Sequence, residues 1–216
     1  GSMGNTISGD FKTSMDYAKD AALAFLNQAK ANPQNRIAIV AYSTSASLKI
    51  GLTYLNAAGI TLITNQINAL QATNSTNIYA GIVRSETELE TNGRFDCSTA
   101  RAIILLTDGV TNVTGTSGNT NCNVSKTSQC VTDAINAATN AKTTTKSSVV
   151  YNNQVFSVGL FGGISGNINT NNSDQNIAKY TLDNIQGSAA YITQSGANLT
   201  AIYNQIATQI SWVAQN

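Results

Sequence analysis

The sequence predicts an α/β fold: a doubly wound, mostly parallel sheet with helices on both faces and one antiparallel strand at its edge. Short apolar runs alternate with helical patterns along the chain, which is typical of this class. Several of the runs are continuous rather than alternating in polarity, as in strands that are covered on both faces. The length of 216 residues suffices for one sizeable core. We expect residues 1–216 to form a single domain.

The N-terminal part predicts a helix followed by an antiparallel strand pair. Apolar side chains recur at helical spacing from Asp10 to Ala31, and Pro33 ends the pattern. The run RIAIVAYS at residues 36–43 predicts a buried strand, and SLKIGLT at residues 47–53 follows after a very short link. A parallel return needs about a dozen residues, so we expect SLKIG to pair antiparallel and to form the edge strand.

The rest of the chain alternates between helix and strand. Two polar loops, roughly residues 110–129 and 162–173, interrupt the alternation. The predicted helices lie near residues 61–70, 78–90, 131–142, 176–185 and 197–214, and the predicted strands near residues 103–106, 154–161 and 189–193.

The strand Ile103–Leu106 ends abruptly in Thr107, Asp108 and Gly109. Ligands of open α/β sheets bind at the carboxyl ends of the strands, and a glycine beside an acid permits a tight turn there. Asp-Gly is also a common turn dipeptide. These residues alone therefore leave two interpretations open: Asp108 is an exposed acid of a binding site, or it caps a turn.

Composition and missing motifs exclude several classes of function. A net charge of +1 with 11% charged residues argues against a nucleic-acid surface or a polybasic membrane patch. No apolar run approaches the ~20 residues of a membrane span. The chain has no histidine, no P-loop and no dinucleotide-binding glycine pattern, so we expect no enzymatic activity. Asp108 and neighbouring hydroxyls instead suit a hard divalent cation such as Mg²⁺ or Ca²⁺.

The three cysteines leave the redox state open. Cys122 and Cys130 flank a polar loop that a disulfide would close in an oxidising compartment, and the alternative is three reduced thiols. Cys97 has no obvious partner in either case. Three scattered cysteines without histidine do not predict a zinc site. The polarity of the chain comes from Asn, Thr, Ser and Gln, a composition that is frequent in exported proteins.

Three short stretches occur in the order GSM at residues 1–3, STNIYAGI at residues 75–82 and RAIILLTDG at residues 101–109. Together they resemble the von Willebrand factor A domain. The first helix, the strand RIAIVAYS and the last helix match that family in order and spacing, so the resemblance covers nearly the whole chain. It implies the fold predicted above, together with a metal-ion-dependent adhesion site formed by three loops at the carboxyl edge of the sheet.

The resemblance also assigns residues to that site. The second-loop threonine corresponds to Thr76, the third-loop acid to Asp108, and the last serine of the first loop to Ser2. Hydroxyl and carboxylate oxygens are hard ligands, and the implied cation is Mg²⁺, with Mn²⁺ or Ca²⁺ as alternatives.

The first loop departs from the family pattern. Bacterial members commonly read Asp-x-Ser-Gly-Ser-Met there, whereas this sequence has only Gly1, Ser2 and Met3. Two interpretations stay open: GSM is the tail of the motif, or it is a cloning remnant that matches by accident. Neither supplies the aspartate or the central strand before it. We expect that strand to come from a segment outside residues 1–216 or from another chain, and we expect little cation retention without it.

The resemblance implies a binding module of a bacterial surface or pilus-associated protein. Such an adhesin captures a host or matrix protein that presents an acidic residue to the cation, and it contacts other pilus or surface subunits. One alternative is a structural module whose metal site is vestigial, and another is an intracellular accessory domain of an ATPase or chelatase. Specificity in the family lies in loops around the metal, here residues 111–129 and 162–173. Tyr79 is a candidate contact, although a tyrosine in the first turn of a helix more often packs.

Overall fold

The computed structural model describes residues 2–7, 11–73, 75–96, 98–118 and 120–213. A short 3₁₀ helix, Ser2–Gly4, comes first. The helices are α1 (Ser14–Ala29), α2 (Ala57–Asn68), α3 (Ile78–Asn92), α4 (Gln129–Ala141), α5 (Asp174–Gln186) and α6 (Gly196–Val213). The strands are β1 (Arg36–Tyr42), β2 (Ala46–Tyr54), β3 (Ala102–Thr107), β4 (Val113–Thr114), β5 (Thr120–Asn121), β6 (Thr143–Lys146), β7 (Val149–Asn152), β8 (Gln154–Leu160) and β9 (Tyr191–Thr193).

Capping residues set the beginnings of the first two helices. Thr13 and Asp16 form a capping box in which each side chain accepts a hydrogen bond from the other's backbone N–H. The bonds from Thr13 lower the pKa of the Asp16 carboxyl. The predicted start of the helix at Asp10 lies outside the described residues. The prediction that α2 begins at residue 61 was wrong, because the Asn56 side chain accepts from the Gly59 N–H and begins the helix at residue 57.

The main strands confirm the predicted mixture of parallel and antiparallel pairing. β1 and β2 pair antiparallel, from Arg36 opposite Tyr54 to Tyr42 opposite Ala46. β3, β8 and β9 form a parallel sheet in that order. The chain therefore has the predicted α/β fold, with SLKIG in the antiparallel edge strand.

Helices cover both faces of the parallel sheet. Ile103 and Leu105 of β3 point into an apolar cluster with α3, α4 and α5. Ile104 and Leu106 point the other way and pack against a cluster that involves α1 and α6. A third cluster joins α1 and α2 to β1 and β2. The continuous apolar run in β3 thus reflects a strand that lies between two layers of helices.

Two short hairpins were not predicted. β4 pairs with β5 inside what the sequence indicates as an irregular polar loop. β6 pairs with β7 through a turn at Ser147 and Ser148, whose φ angles are 50° and 66°. Tight hairpin turns with positive φ usually carry Asn-Gly or Asp-Gly, and neither dipeptide is present here.

β1 and β3 lie in neighbouring parts of the fold without pairing to each other. Within the described residues, β1 pairs only with β2, and β3 pairs only with β8. Helix α3 packs against both strands, and the Tyr42 hydroxyl at the end of β1 donates to the Leu106 carbonyl near the end of β3. All seven residues of β1 are only half-buried, although its sequence predicts a covered strand. In the described part of the chain, β1 and β3 therefore each have one edge that no other strand pairs with.

Among the helices of the described segments, none is both long and apolar enough to cross a membrane.

Candidate cation site

Strand β3 delivers Asp108 to the carboxyl edge of the sheet. The carboxylate is only 2% exposed, so the expectation that it is exposed was wrong. Its Oδ1 accepts a hydrogen bond of 2.7 Å from the Ser2 hydroxyl, and its Oδ2 is buried without a hydrogen-bond partner in the described part of the chain. Burial raises the pKa of the Asp108 carboxyl, and the bond from Ser2 acts in the opposite direction. A buried carboxylate with an unused oxygen is stabilised by a bound cation, by a further hydrogen-bond donor or by taking up a proton.

Gly109 lies where the three predicted residues meet. A Cβ at this position would lie 3.3 Å from Ser2 Oγ and 3.3 Å from Thr76 Oγ1. Because Ser2 also contacts Asp108 directly, the structure brings together the side chains of Ser2, Thr76 and Asp108, which we call the cation site. The Thr107 hydroxyl accepts from the Gly109 N–H and fixes the turn after β3.

Thr76 is held through its backbone by residues that no sequence motif indicates. Its N–H donates to Asn112 Oδ1 at 3.0 Å, and its carbonyl accepts from the Asn112 N–H at 3.0 Å. The Thr111 hydroxyl donates to the same carbonyl at 3.1 Å. Thr111 and Asn112 lie at the start of a loop that the family resemblance indicates as a specificity loop, but their contact with Thr76 depends on the tertiary fold.

Asn77 joins the loops beside the cation site. Its position directly before a helical pattern could have identified it from the sequence as a helix cap. Its side-chain oxygen accepts from the Ala80 N–H, so it caps α3, as an asparagine directly before a helical pattern often does. Its amide nitrogen donates to the carbonyls of Thr44 at 2.7 Å and Gly115 at 2.8 Å. The loop after β1, the segment with Thr76 and the β4–β5 turn are therefore tied together. Tyr79, two residues further on, is half-buried and packs against the apolar cluster below α3.

Ser14 is a further hydroxyl at the cation site that the sequence motifs do not include. It is fully buried at the start of α1, and its Oγ makes no hydrogen bond within the described residues. It lies close enough to Asp108 to lower the pKa of that carboxyl. A Cβ at Gly163 would lie 3.8 Å from Ser14 Oγ, so the loop at residues 162–173 reaches the same area.

The ligand atoms at the cation site are of the kind that a hard cation prefers, but they are too few to complete its coordination. One carboxylate and the hydroxyls of Ser2 and Thr76 are oxygen ligands of the kind that Mg²⁺ and Ca²⁺ prefer. Within the residues described, no group of three or more Asp, Glu, His or Cys side chains lies together. These cations take six or more ligands, so the remaining donors have to be water, a partner or a segment outside the described residues.

A disulfide joins Cys122 to Cys130 and ties β5 to the first turn of α4. Cys97 lies outside the described residues. We expect denatured, unreduced protein to show two fewer reactive thiols per chain than reduced protein, measured with a chromogenic thiol reagent. The double variant Cys122→Ala/Cys130→Ala should show no such difference. Equal counts for the unreduced and reduced native sequence would contradict the disulfide.

Comparison with known proteins identifies the family of this fold. The family model of the von Willebrand factor type A domain matches residues 1–110. No curated protein sequence matches the chain.

Several solved structures of pilus proteins share the fold. The PilB minor pilin from Streptococcus sanguinis has a TM-score of 0.70 at 16% identity, over 97% of this chain and 58% of that one. The open conformation of the pilus adhesin SpaC from Lactobacillus rhamnosus GG has a TM-score of 0.66 at 16% identity, over 94% of this chain and 29% of that one. The vWF domain of the type V pili tip protein Mfa5 from Porphyromonas gingivalis has a TM-score of 0.64 at 14% identity, over 94% and 90% of the two chains. This chain therefore spans less than two thirds of the PilB and SpaC chains, and the likeness is one of fold.

Proposed function

This chain belongs to the von Willebrand factor type A family, and we propose that it is an extracellular adhesion module that binds a partner's carboxylate through a divalent cation. Ser2, Thr76 and Asp108 would hold the cation, with Mg²⁺ as the first candidate and Mn²⁺ or Ca²⁺ as alternatives. The observation that carries the proposal is the unused, buried Oδ2 of Asp108 beside converging hydroxyls. These oxygen ligands are of the kind that a hard cation prefers. Their single negative charge would neutralise only part of the charge of a divalent cation.

The scarcity of charged ligands favours a partner acid. A divalent cation bound by one carboxylate and two hydroxyls keeps most of its positive charge and has coordination positions left for other ligands. A carboxylate from a partner protein would fill one of these positions and complete the neutralisation. Proteins that present an Asp or Glu on an accessible loop are therefore the expected ligands.

The proposed location is the bacterial cell surface or a pilus. PilB is described as a minor pilin, SpaC as a pilus adhesin and Mfa5 as a pilus tip protein, and these relatives in fold support such a place. The Cys122–Cys130 disulfide also supports export, because disulfides persist in oxidising compartments. The expected partners are host or matrix proteins and other pilus subunits. The proposal includes no catalysis: the chain lacks histidine, and Asp108 is the only acid among Ser2, Thr76 and Asp108.

A structural module with a vestigial metal site is the second candidate. Asp108 is the only carboxylate among the three residues of the cation site, and this favours a vestigial site. The intracellular accessory domain is the weaker alternative, because the disulfide has little use in a reducing compartment.

Partner capture in the presence and absence of cation tests the proposal. The protein, with a strand that ends in Asp-x-Ser added before Gly1, would be immobilised and exposed to a panel of purified matrix proteins in Mg²⁺ or in chelator. We expect binding of at least one acidic ligand in Mg²⁺ and its loss in chelator. Binding that persists unchanged in chelator would favour the structural module.

A further inference from the structure

We propose that Asn112 is a positioning residue for Thr76, and that the Cys122–Cys130 disulfide holds Asn112 in place. The proposal concerns the order of the segment that carries Thr76, and only its consequence for cation binding rests on the proposed function. Three links carry it: Thr76 to Asn112, Asn112 to Cys122, and Cys122 to the core through α4.

The first link is a closed pair of hydrogen bonds. Asn112 accepts from the Thr76 N–H with its side chain and donates to the Thr76 carbonyl with its backbone, both at 3.0 Å. The Thr111 hydroxyl adds a bond to the same carbonyl. With both of its backbone polar groups used in this way, the backbone of Thr76 is held in place, which fixes the position of its Cβ and so the region that its hydroxyl can reach.

The second and third links continue from Asn112 into the core. The Cys122 N–H donates to the Asn112 carbonyl at 3.0 Å. Cys122 is bonded to Cys130, which is fully buried in the first turn of α4, and the Cys130 N–H donates to Cys122 Sγ. Helix α4 packs into the main apolar cluster through side chains such as Val131 and Ala134. The segment that holds Thr76 is thereby connected covalently to a helix of the core.

The hairpin between these links is too small to hold its own shape. β4 and β5 pair through only two residues each, and both residues of β5 are exposed. Isolated two-stranded hairpins are marginal even when they are longer. Other contacts hold the β4 side of the hairpin: both residues of β4 are buried, the Thr114 hydroxyl donates to Asp133 of α4 at 2.8 Å, and the Asn77 amide donates to the Gly115 carbonyl at 2.8 Å. On the β5 side both residues are exposed, and Cys122 directly after them is bonded covalently to α4. We therefore expect the disulfide to set the order of the β5 side and of the Asn112 carbonyl that Cys122 contacts.

We call the hydrogen bonds between Thr76 and Asn112, together with the Cys122–Cys130 disulfide, the clamp. Amide hydrogen exchange at Thr76 measures the strength of the clamp in the absence of any cation. In Asn112→Ala the Thr76 N–H loses its acceptor, and we expect its exchange to be at least about tenfold faster. The double variant Cys122→Ala/Cys130→Ala should accelerate exchange at both Thr76 and Asn112, because Asn112 is connected to the disulfide through the Cys122 N–H. The matched control is Asn121→Ala, the same chemical change at an exposed position of the same hairpin, which should leave Thr76 unaffected. Asn112→Asp keeps an acceptor oxygen and should restore protection.

Three outcomes would overturn the proposal. Unchanged exchange at Thr76 in Asn112→Ala would remove the positioning role. Faster exchange in Asn112→Ala but not in the cysteine variant would remove the role of the disulfide. Equal acceleration at Val158 in the middle of β8 would mean general destabilisation instead of a local clamp.

A titration with Mn²⁺ separates this proposal from the proposed function. In protein extended by the completing strand, we expect Asn112→Ala to weaken Mn²⁺ binding by about tenfold, because a ligand that is not held in place binds less well. If the exchange results are as expected but the extended protein without substitutions binds no Mn²⁺, the positioning role of Asn112 is supported and the cation-dependent function is refuted. If Mn²⁺ binds equally well to both, the clamp does not position a ligand.

Discussion

An apolar strand supplied between β1 and β3 is expected to raise the free energy of unfolding by on the order of 3 kcal/mol or more. A suitable extension places about six β-branched residues and then Asp-x-Ser directly before Gly1. Each backbone hydrogen bond stabilises the folded state by about 0.5–1.5 kcal/mol net, and each buried Val or Ile side chain by about 1.5–3 kcal/mol. Ordering the backbone of the strand costs about 1–2 kcal/mol per residue in conformational entropy. The favourable contributions of the strand therefore exceed the entropic cost.

The positions of β1 and β3 support this expectation. Tyr42 at the end of β1 reaches the carbonyl of Leu106 near the end of β3, so the carboxyl ends of both strands lie at the same edge. A strand between them would run parallel to both and would end beside Asp108. It would also cover the half-buried side chains of β1.

Urea unfolding followed by circular dichroism measures the effect. The midpoint should rise, and the m-value should rise with it, because more surface is exposed when the completed sheet unfolds. The matched control carries the same extension with proline at two central positions, which removes two N–H donors. Equal stability of the two extended proteins would contradict strand insertion.

Asp108→Ala is expected to abolish cation binding in the extended protein, with a loss in affinity of at least about a hundredfold, while leaving the fold intact. Asp108 is the only acid among the three residues of the cation site, so its removal deletes the main charge that attracts the ion. An exposed carboxylate could be removed without harm because it contributes little packing, but Asp108 is buried, so the reason here is a different one. Asp108 is buried with one oxygen unpaired, so truncation removes an unfavourable buried charge as well as the hydrogen bond from Ser2.

Calorimetric titration with Mg²⁺, together with thermal unfolding in chelator, measures both effects. We expect the unfolding temperature in chelator to be unchanged or slightly higher in Asp108→Ala. Asp20→Ala on the exposed surface of α1 is the control for loss of one acid, and it should bind the cation normally. Undiminished binding in Asp108→Ala would refute the assignment of this ligand. Tight binding by the chain without the extension would mean that other ligands have been overlooked.

The sequence predicts those parts of the fold that a local pattern determines. The run Ile103–Leu106 is continuous because two layers of helices cover it, and the same pattern predicts the strand. Ser2, Thr76 and Asp108 belong to motifs of fixed spacing, so a resemblance to the family assigns them. Asn77 could have been predicted as well, since an asparagine before a helical pattern is a common cap.

Other features depend on contacts between distant segments. Asn112 holds Thr76 across 36 positions of the chain, and its neighbours in sequence carry no period or motif. The β4–β5 hairpin is too short for alternation to be visible. The burial of Asp108 results from Ser2, Ser14 and the loops around them, so a turn dipeptide at the end of a strand could not reveal it.

The separate apolar cluster around β1, β2 and α2 has a consequence for folding cooperativity. Its buried members, Leu26, Leu55, Ile63 and Ile67, share no residue with the clusters around the parallel sheet. Helix α1 and the packing of α3 against β1 and β2 connect this part to the rest, and no described strand pairs β1 with β3. We expect this subdomain to open at a lower free energy than the parallel sheet, as a foldon of low stability. Its opening would expose unpaired backbone N–H and C=O groups at the edges of β1 and β2, and strands of other chains could pair with these groups. A central strand would join the two foldons, so that they unfold together in one transition.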